Sequence, residues 1–342
     1  MIILVIVVVK RGARISRKGS ILYISRPVPV KERKEDGNRK YQFITENIPL
    51  IDIEMLVIVG SNVRISSGAV LMLAEANIPI IVHSRRLDVM LLTPYNIRIA
   101  EVRRRLYRLA DNIEWRIHIG KVFIEGKLLG FANVVRYLAY KDIEKGKNVK
   151  WVLEEIDNIN KLRRAETSNI RSIEDLRLYE AKWSKKLWEM FVIFIPDVYE
   201  FTGRDPKSRD PINSAISYAY AIIYGLCTHA LIASGLDPYI GIIHSERAGR
   251  TSLTYDFSEM FKPIAIHAVS IASRLTKLSV DKSGYLTKRS LETVTRLIYR
   301  TLKRKHRSWK YTARGEIYAK AWELRQNIEK GISFKPFIYT IK

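Results

Sequence analysis

The residues best suited to chemistry are one histidine and three acids set in a strongly basic chain. His244 closes an apolar run, a short polar loop carries Arg247 and Arg250, and Asp256 and Glu259 follow. One imidazole with two or three carboxylates suits a divalent ion of the magnesium or manganese type. Three protein ligands would leave positions open for a phosphate oxygen and a nucleophile. The remaining acid is Glu180. Between Ile173 and Phe194, apolar residues recur in steps of three and four at Ile173, Leu176, Trp183, Leu187, Met190 and Phe194, and Glu180 fills one slot of that series. At about 100° per residue its carboxylate follows the buried seam of a helix, and Glu189 lies about 180° away on the wet side. A buried carboxylate needs a cation or a hydrogen-bond donor.

Each of these residues also has a plainer reading. Glu180 could pair with one of the many arginines, His244 could be a satisfied core histidine, and Asp256-Phe-Ser-Glu259 has the spacing of a capping box. What favours a shared site is that all four lie in helical segments that must pack on one another. A further helix is expected from Asp210-Pro211 onward, nearly all apolar or small, with Asn213, Ser217, Tyr220 and Tyr224 along one side. Near the helix start, Asn213 is placed to hold a loop or a ligand. Cys227 reads as a small core residue.

The elements that must position these groups fall into two regions. Short β-branched runs at Ile2 to Val9, Ile21 to Ile24, Leu56 to Val59 and Ile78 to Val82 give a β-rich, sandwich-like region over residues 1–93. Ser66 or Ser67 should cap one helix there, with Leu71, Leu73 and Ala74 facing inward. The charged run Lys31 to Lys40 is expected to be an exposed hairpin loop. After Pro94 the apolar spacing turns helical, with breaks expected near Gly120, Gly146, Gly203 to Pro211, Gly235 to Pro238 and Gly284. The fold class is therefore α+β, with residues 94–342 forming a larger all-helical domain.

Composition narrows the partners. Lys and Arg total 59 against 35 Asp and Glu, a net charge of +24 that favours a polyanion, nucleic acid first. Basic patches occur at Arg103 to Arg105 with Arg108, at Lys182, Lys185 and Lys186, and over Arg300 to Arg314, where Tyr299, Trp309 and Tyr311 are interleaved. Charge mixed with aromatics suits phosphates and splayed bases. A single cysteine excludes a disulfide framework and a cysteine zinc site, which fits a cytoplasmic protein. The opening Met1 to Val9 run is too short for a membrane span, and no other stretch is expected to be long and apolar enough.

Three stretches carry a family resemblance. Asp210-Pro-Ile-Asn-Ser-Ala-Ile-Ser-Tyr-Ala-Tyr220, Ala233-Ser-Gly-Leu-Asp-Pro-Tyr-Ile-Gly-Ile-Ile-His244 and Gly249-Arg-Thr-Ser-Leu-Thr-Tyr-Asp-Phe-Ser-Glu-Met-Phe-Lys-Pro263 resemble the motifs of the CRISPR-associated protein one family, the universal CRISPR spacer-acquisition integrases. Ile48 to Val63 and Leu71 to Ile80 are similar to that family's β domain. The resemblance implies that Glu180, His244 and Glu259 ligate a divalent metal, Mg2+ or Mn2+, with Asp256 beside them as a further catalytic residue. It implies DNA-binding or orienting roles for Asn213, Arg250, Lys262, Lys288 and Arg289; Lys262 stands where the family commonly has arginine. It also implies a homodimer formed through the β domain, a small second CRISPR adaptation protein as partner, and double-stranded DNA (spacer fragments and the CRISPR repeat) as substrate. The activity implied is endonuclease and integrase chemistry, attack of a 3′-hydroxyl on a phosphodiester. The alternatives are a non-catalytic basic DNA-binding scaffold and a mobile-element integrase or structure-selective nuclease of the same family.

Overall fold

A computed structural model describes residues 5–10, 12–33, 39–59, 62–76, 78, 80–83, 88–91, 99–246 and 250–341. The chain divides into two compact units, Met1–Ile97 and Arg98–Lys342.

Among the described residues, the first unit holds two four-stranded sheets. In one, β1 (Val5–Lys10), β5 (Ile53–Val59) and β7 (Ile80–His83) run parallel in that order, and β8 (Asp88–Leu91) pairs antiparallel with β7. In the other, the order is β4 (Arg39–Pro49), β3 (Ile21–Arg33), β2 (Arg14–Lys18) and β6 (Arg64–Ile65). Val9, Leu56 and Ile58 from one sheet share a core with Ile15, Leu22 and Ile24 from the other, and with Met72 and Leu73 of α1 (Ser67–Glu75). Ser66 caps α1, its hydroxyl accepting from Ala69 N at 3.2 Å.

Two expectations change here. Leu71 does not face inward; it is 59% exposed, because Ala69, Met72 and Leu73 make the buried face of this short helix. The run Lys31 to Lys40 is not a loop throughout. Pairing of β3 with β4 reaches Arg33 opposite Arg39, and residues 34–38, with Asp36-Gly37, lie outside the described residues.

The second unit is helical: α2 (Ile99–Ala110), α3 (Ile113–Ile143), α4 (Trp151–Glu166), α5 (Ile173–Val192), α6 (Pro211–Ala233), α7 (Ser252–Ser258), α8 (Lys262–Leu275), α9 (Lys288–Leu302) and α10 (Ala313–Lys330). A 3₁₀ turn, Glu259–Phe261, joins α7 to α8. The axis is α3, which touches α4, α5, α7, α8 and that turn. Gly120 does not break it. A Cβ there would sit 2.5 Å from Leu176 Cδ2 of α5 and 3.2 Å from Ile243 Cγ1, so the glycine is a point of close approach. Gly126 and Gly130 act likewise, against Phe337 O at 2.6 Å and Pro263 Cγ at 2.9 Å. Glycine in a helix is costly beside alanine, and close packing is what offsets that cost here.

The helix α6 overturns another expectation, since by length and composition it is apolar enough to cross a membrane. Its apolar surface is spent inside the unit: Ile216, Ala219, Ile223 and Cys227 are buried, and α7, α8, α9 and α10 pack around it. After α10 the chain runs back as an extended strap. Phe337 stacks on Phe261 with centroids 5.0 Å apart, and Asn133 Nδ2 donates to Tyr339 O at 3.0 Å.

Candidate catalytic site

The helix that carries Glu180 begins at a reciprocal cap. Ser172 Oγ accepts from Asp175 N at 3.0 Å, and Asp175 Oδ2 accepts from Ser172 N at 2.9 Å. That start sets the register, so Leu176, Trp183, Leu187 and Met190 are buried and Glu180 points along their seam, its side chain 24% exposed. Glu189 is exposed on the far side. Glu259 enters from the 3₁₀ turn and is 6% exposed.

These two carboxylates meet at one ammonium group. Lys127 Nζ, from α3, donates to Glu180 Oε1 and lies 2.8 Å from Glu259 Oε2. Ser184, one turn beyond Glu180, donates to the same Oε1 at 2.7 Å. Lys262 donates to the other oxygen of Glu259, Oε1, and its ammonium stands 5.3 Å from the Tyr220 ring and 5.8 Å from Tyr224. The plainer reading of Glu180 foresaw an arginine; the partner is a lysine. Burial pushes the Glu259 carboxyl up, but Lys127 and Lys262 more than offset it and hold its pKa at about 2. Burial works against the charge on Lys127, yet Glu259 and Glu180 together raise its pKa above the ordinary value. Lys262 is pulled below its ordinary value, burial outweighing the attraction of Glu259. Burial also raises Tyr220 and Tyr224, keeping both phenols protonated beside the acids.

His244 is held at one ring nitrogen and along its backbone. Its Nδ1 hydrogen-bonds to Asp256 Oδ1, and Asp256 Oδ2 accepts from the backbone N–H of Ile242 at 2.7 Å and of Ile243 at 2.8 Å. The carbonyls of that stretch are tied as well. Arg116 Nε of α3 donates to Ile242 O at 2.9 Å, and Arg177 Nη2 of α5 donates to Ile243 O at 2.5 Å. A Cβ on Gly241 would lie 2.1 Å from His244 O, so only glycine allows the turn. Asp256 and Glu259 therefore do not form a capping box: Asp256 sits in α7 and secures the histidine loop, while the N-cap of α8 is Phe261 with no side-chain cap. A carboxylate on Nδ1 fixes the ring and leaves Nε2 to face a ligand.

Do these groups suit a divalent ion? Glu180 and Glu259 already share one cation, Lys127 Nζ lying 2.8 Å from Glu259 Oε2, so the pair is spaced to hold positive charge between its oxygens. The carboxylate pair fits. The imidazole is not gathered with them, since among the described residues no group of three or more His, Cys, Asp or Glu is close enough to hold a metal.

The remaining expected residues are spread around this centre. Asn213 is buried and wholly engaged in holding the 203–210 loop. Its Oδ1 accepts from Arg204 Nη1 and Asp205 N, both at 2.9 Å, and its Nδ2 donates to Asp210 Oδ2 at 2.7 Å and Gly203 O at 3.1 Å. Arg250 lies over the Tyr255 ring at 5.0 Å, and Tyr255 meets Tyr224 edge-on at 4.8 Å. Lys288 and Arg289 are exposed in the first turn of α9, with no described contact to the carboxylates. Arg247 lies outside the described residues. Trp309 is not free to stack on bases; it is 8% exposed and donates to Ile338 O at 3.1 Å, whereas Tyr299 and Tyr311 are exposed.

Lys127 and Arg204 escaped the sequence reading. For Lys127 the signal was there: it occupies the apolar face of α3 with Ile124, Leu128 and Phe131 at helical spacing, the same anomaly that singles out Glu180. Arg204 lies in an irregular loop and has no periodic signal; it reaches Ser217 Oγ at 3.0 Å and lies 5.6 Å from the Tyr220 ring.

A two-sheet β unit followed by a larger helical unit is a fold shared with solved structures. The structure superposes on a chain of a partial Cas6-RT-Cas1–Cas2 complex with a TM-score of 0.69 at 16% identity, covering 99% of this chain and 100% of that one. It is also similar to a casposase bound to integration product, with a TM-score of 0.67 at 19% identity and 97% of each chain covered. Among curated sequences, a CRISPR-associated endonuclease Cas1 from Hyperthermus butylicus is 31% identical over 301 residues, 84% of this chain and 88% of the relative. The family model described as CRISPR associated protein Cas1 matches residues 6–315, and the chain belongs to that family.

Proposed function

We propose that this chain is a metal-dependent DNA integrase and endonuclease of CRISPR adaptation, joining spacer DNA into a repeat array by attack of a 3′-hydroxyl on a phosphodiester. The observation that carries this reading is the convergence of Glu180 and Glu259, from distant parts of the chain, on one buried cation position. Glu180 and Glu259 would hold Mg2+ or Mn2+; His244, the third ligand that the family resemblance implies, is not gathered with them in this structure and would have to draw nearer to join. Bound there, the ion would polarise the target phosphodiester and stabilise the charge that develops on it. Asp256 keeps the imidazole aimed through Nδ1, and the backbone ties to Arg116 and Arg177 fix where it points. Lys262 neutralises Glu259 from the side away from Lys127. Arg250, Lys288 and Arg289 would contact phosphates, and Asn213 orients the Arg204 loop from within. The remaining parts of the reading are a homodimer through the β unit, a small second adaptation protein such as the Cas2 of the related complex, and double-stranded DNA as substrate.

The test is strand joining with purified protein, Mn2+, duplexes with free 3′-hydroxyls and a supercoiled repeat-bearing target. Glu180→Ala and His244→Ala are each expected to lower joining by about 10²-fold or more while DNA binding is retained. Normal joining by both variants would show that the site is wrongly assigned, and no joining by the wild type would favour the scaffold.

A further inference from the structure

One group at the centre is left without a role by that reading. Lys127 reaches from α3 into the space between the two carboxylates, and its side chain is 11% exposed. A bound divalent ion and this ammonium would claim the same carboxylate oxygens, and two cations cannot share them without strong repulsion in a poorly solvated setting. We propose that Lys127 is an internal stand-in cation, seated between Glu180 and Glu259 until a divalent metal displaces it, so that metal uptake and the seated lysine exclude each other. The inference rests on the metal reading of the site given above.

Three observations separate Lys127 from Lys262, the other lysine here. Lys127 touches both glutamates, whereas Lys262 pairs with Glu259 alone. Lys262 has a second anchor over the Tyr220 and Tyr224 rings, at 5.3 and 5.8 Å, so it can stay when the seat changes hands. Glu259 meets Lys127 through Oε2, at 2.8 Å, and Lys262 through Oε1, so the oxygen facing Lys127 can change partner while the other stays paired. The seat also has an opening. Glu180 is 24% exposed, which gives an ion a way in, and a lysine has a flexible four-carbon stem on which to withdraw. The stand-in solves a problem of the metal-free protein: two acids facing each other inside a helical core would repel and spread, and the ammonium holds them at a common point.

Mn2+ binding to the full chain, followed by the electron paramagnetic resonance signal of free Mn2+, tests this. Lys127→Met removes the charge and keeps most of the volume; Lys127→Arg keeps the charge. If the seat is open about a tenth of the time in the wild type, Lys127→Met should bind Mn2+ about tenfold more tightly, with Lys127→Arg close to wild type. Glu259→Gln should lose the site. Binding by the wild type that Glu259→Gln abolishes but Lys127→Met leaves unchanged or weakens would overturn the stand-in and leave the metal reading intact. Binding untouched by Glu259→Gln, or absent from the wild type, would overturn both. Should Lys127→Met fail to fold, acylation of Lys127 in the unmutated protein answers the same question by peptide mass spectrometry. Its reactivity should rise several-fold on saturation with Mn2+, and unchanged reactivity would overturn the proposal.

Discussion

Asp256 shows how one side chain can look ordinary in sequence and carry unusual weight in the fold. Spacing alone makes it a helix cap, and losing a cap costs about 1 kcal/mol. In place, its fully buried carboxylate serves the N–H groups of Ile242 and Ile243 and the His244 ring. Asp256→Ala is therefore expected to cost about 3 kcal/mol or more in chemical denaturation, because each stranded buried donor costs about 1–3 kcal/mol. Amide exchange at residues 242–244 should quicken as well. A loss near 1 kcal/mol would return Asp256 to the role of a cap. His267 is the other residue with a testable signature. It is fully buried on α8, its Nδ1 is 2.8 Å from the Tyr339 hydroxyl, and its Nε2 has no partner. Burial, with Arg304 adding to it, lowers its pKa from 6.5 to about 3. The unfolded chain then binds the extra proton first, so the contribution of neutral His267 is complete above about pH 6.5 and is lost as pH falls toward 3. Denaturation midpoints should decline across that window, and His267→Leu should flatten the decline. An equal slope in the variant would mean that other groups govern acid sensitivity.

At the level of elements, α3 decides whether the site assembles. It carries Lys127, and its three glycines let α5, the 3₁₀ turn, α8 and the C-terminal strap approach its backbone. Gly126→Ala should destabilise by about 1–3 kcal/mol, as overpacking does, because the new methyl would lie 2.6 Å from Phe337 O and 2.7 Å from Met260 Cγ. A melting temperature equal to wild type would show that the strap yields freely. The same helix marks where sequence reading succeeds and fails. Glu180 was legible because an acid in an apolar series violates a period, and Glu189 was placed correctly by the same count. Gly120 was misread because one residue type serves both as a breaker and as a contact point, and only the neighbour across the gap distinguishes them. The strand β2 was missed because most of its side chains are polar and exposed, Arg14, Ser16 and Arg17 among them, and such a strand has no apolar signature; in β4 the apolar Tyr41, Phe43 and Ile44 are exposed and do not keep a strict alternation. Trp309 sits in a run of charge that reads as surface, yet the strap covers it.

Over the whole molecule, the charge of +24 surrounds a centre in which two glutamates balance two lysines. Attraction for a polyanion must therefore come from the surface, where Lys288, Arg289, Tyr299 and Tyr311 are exposed. Binding of duplex DNA should then weaken by about 10³-fold or more between 50 and 200 mM salt if six or more phosphates are contacted. A filter-binding or fluorescence titration series would check this, and a shallow dependence would argue against a phosphate-dominated surface. The acid centre and the basic surface are thus separable: in the proposed function the one sets the chemistry, the other the encounter.

The peptide carbonyls ahead of His244 are moored to Arg116 and Arg177, which belong to two different helices. Warming can slacken a free loop long before a domain melts, but this one has no slack of its own. The aim of the imidazole should last as long as α3 and α5 remain docked, which lends the centre the endurance of the whole helical unit.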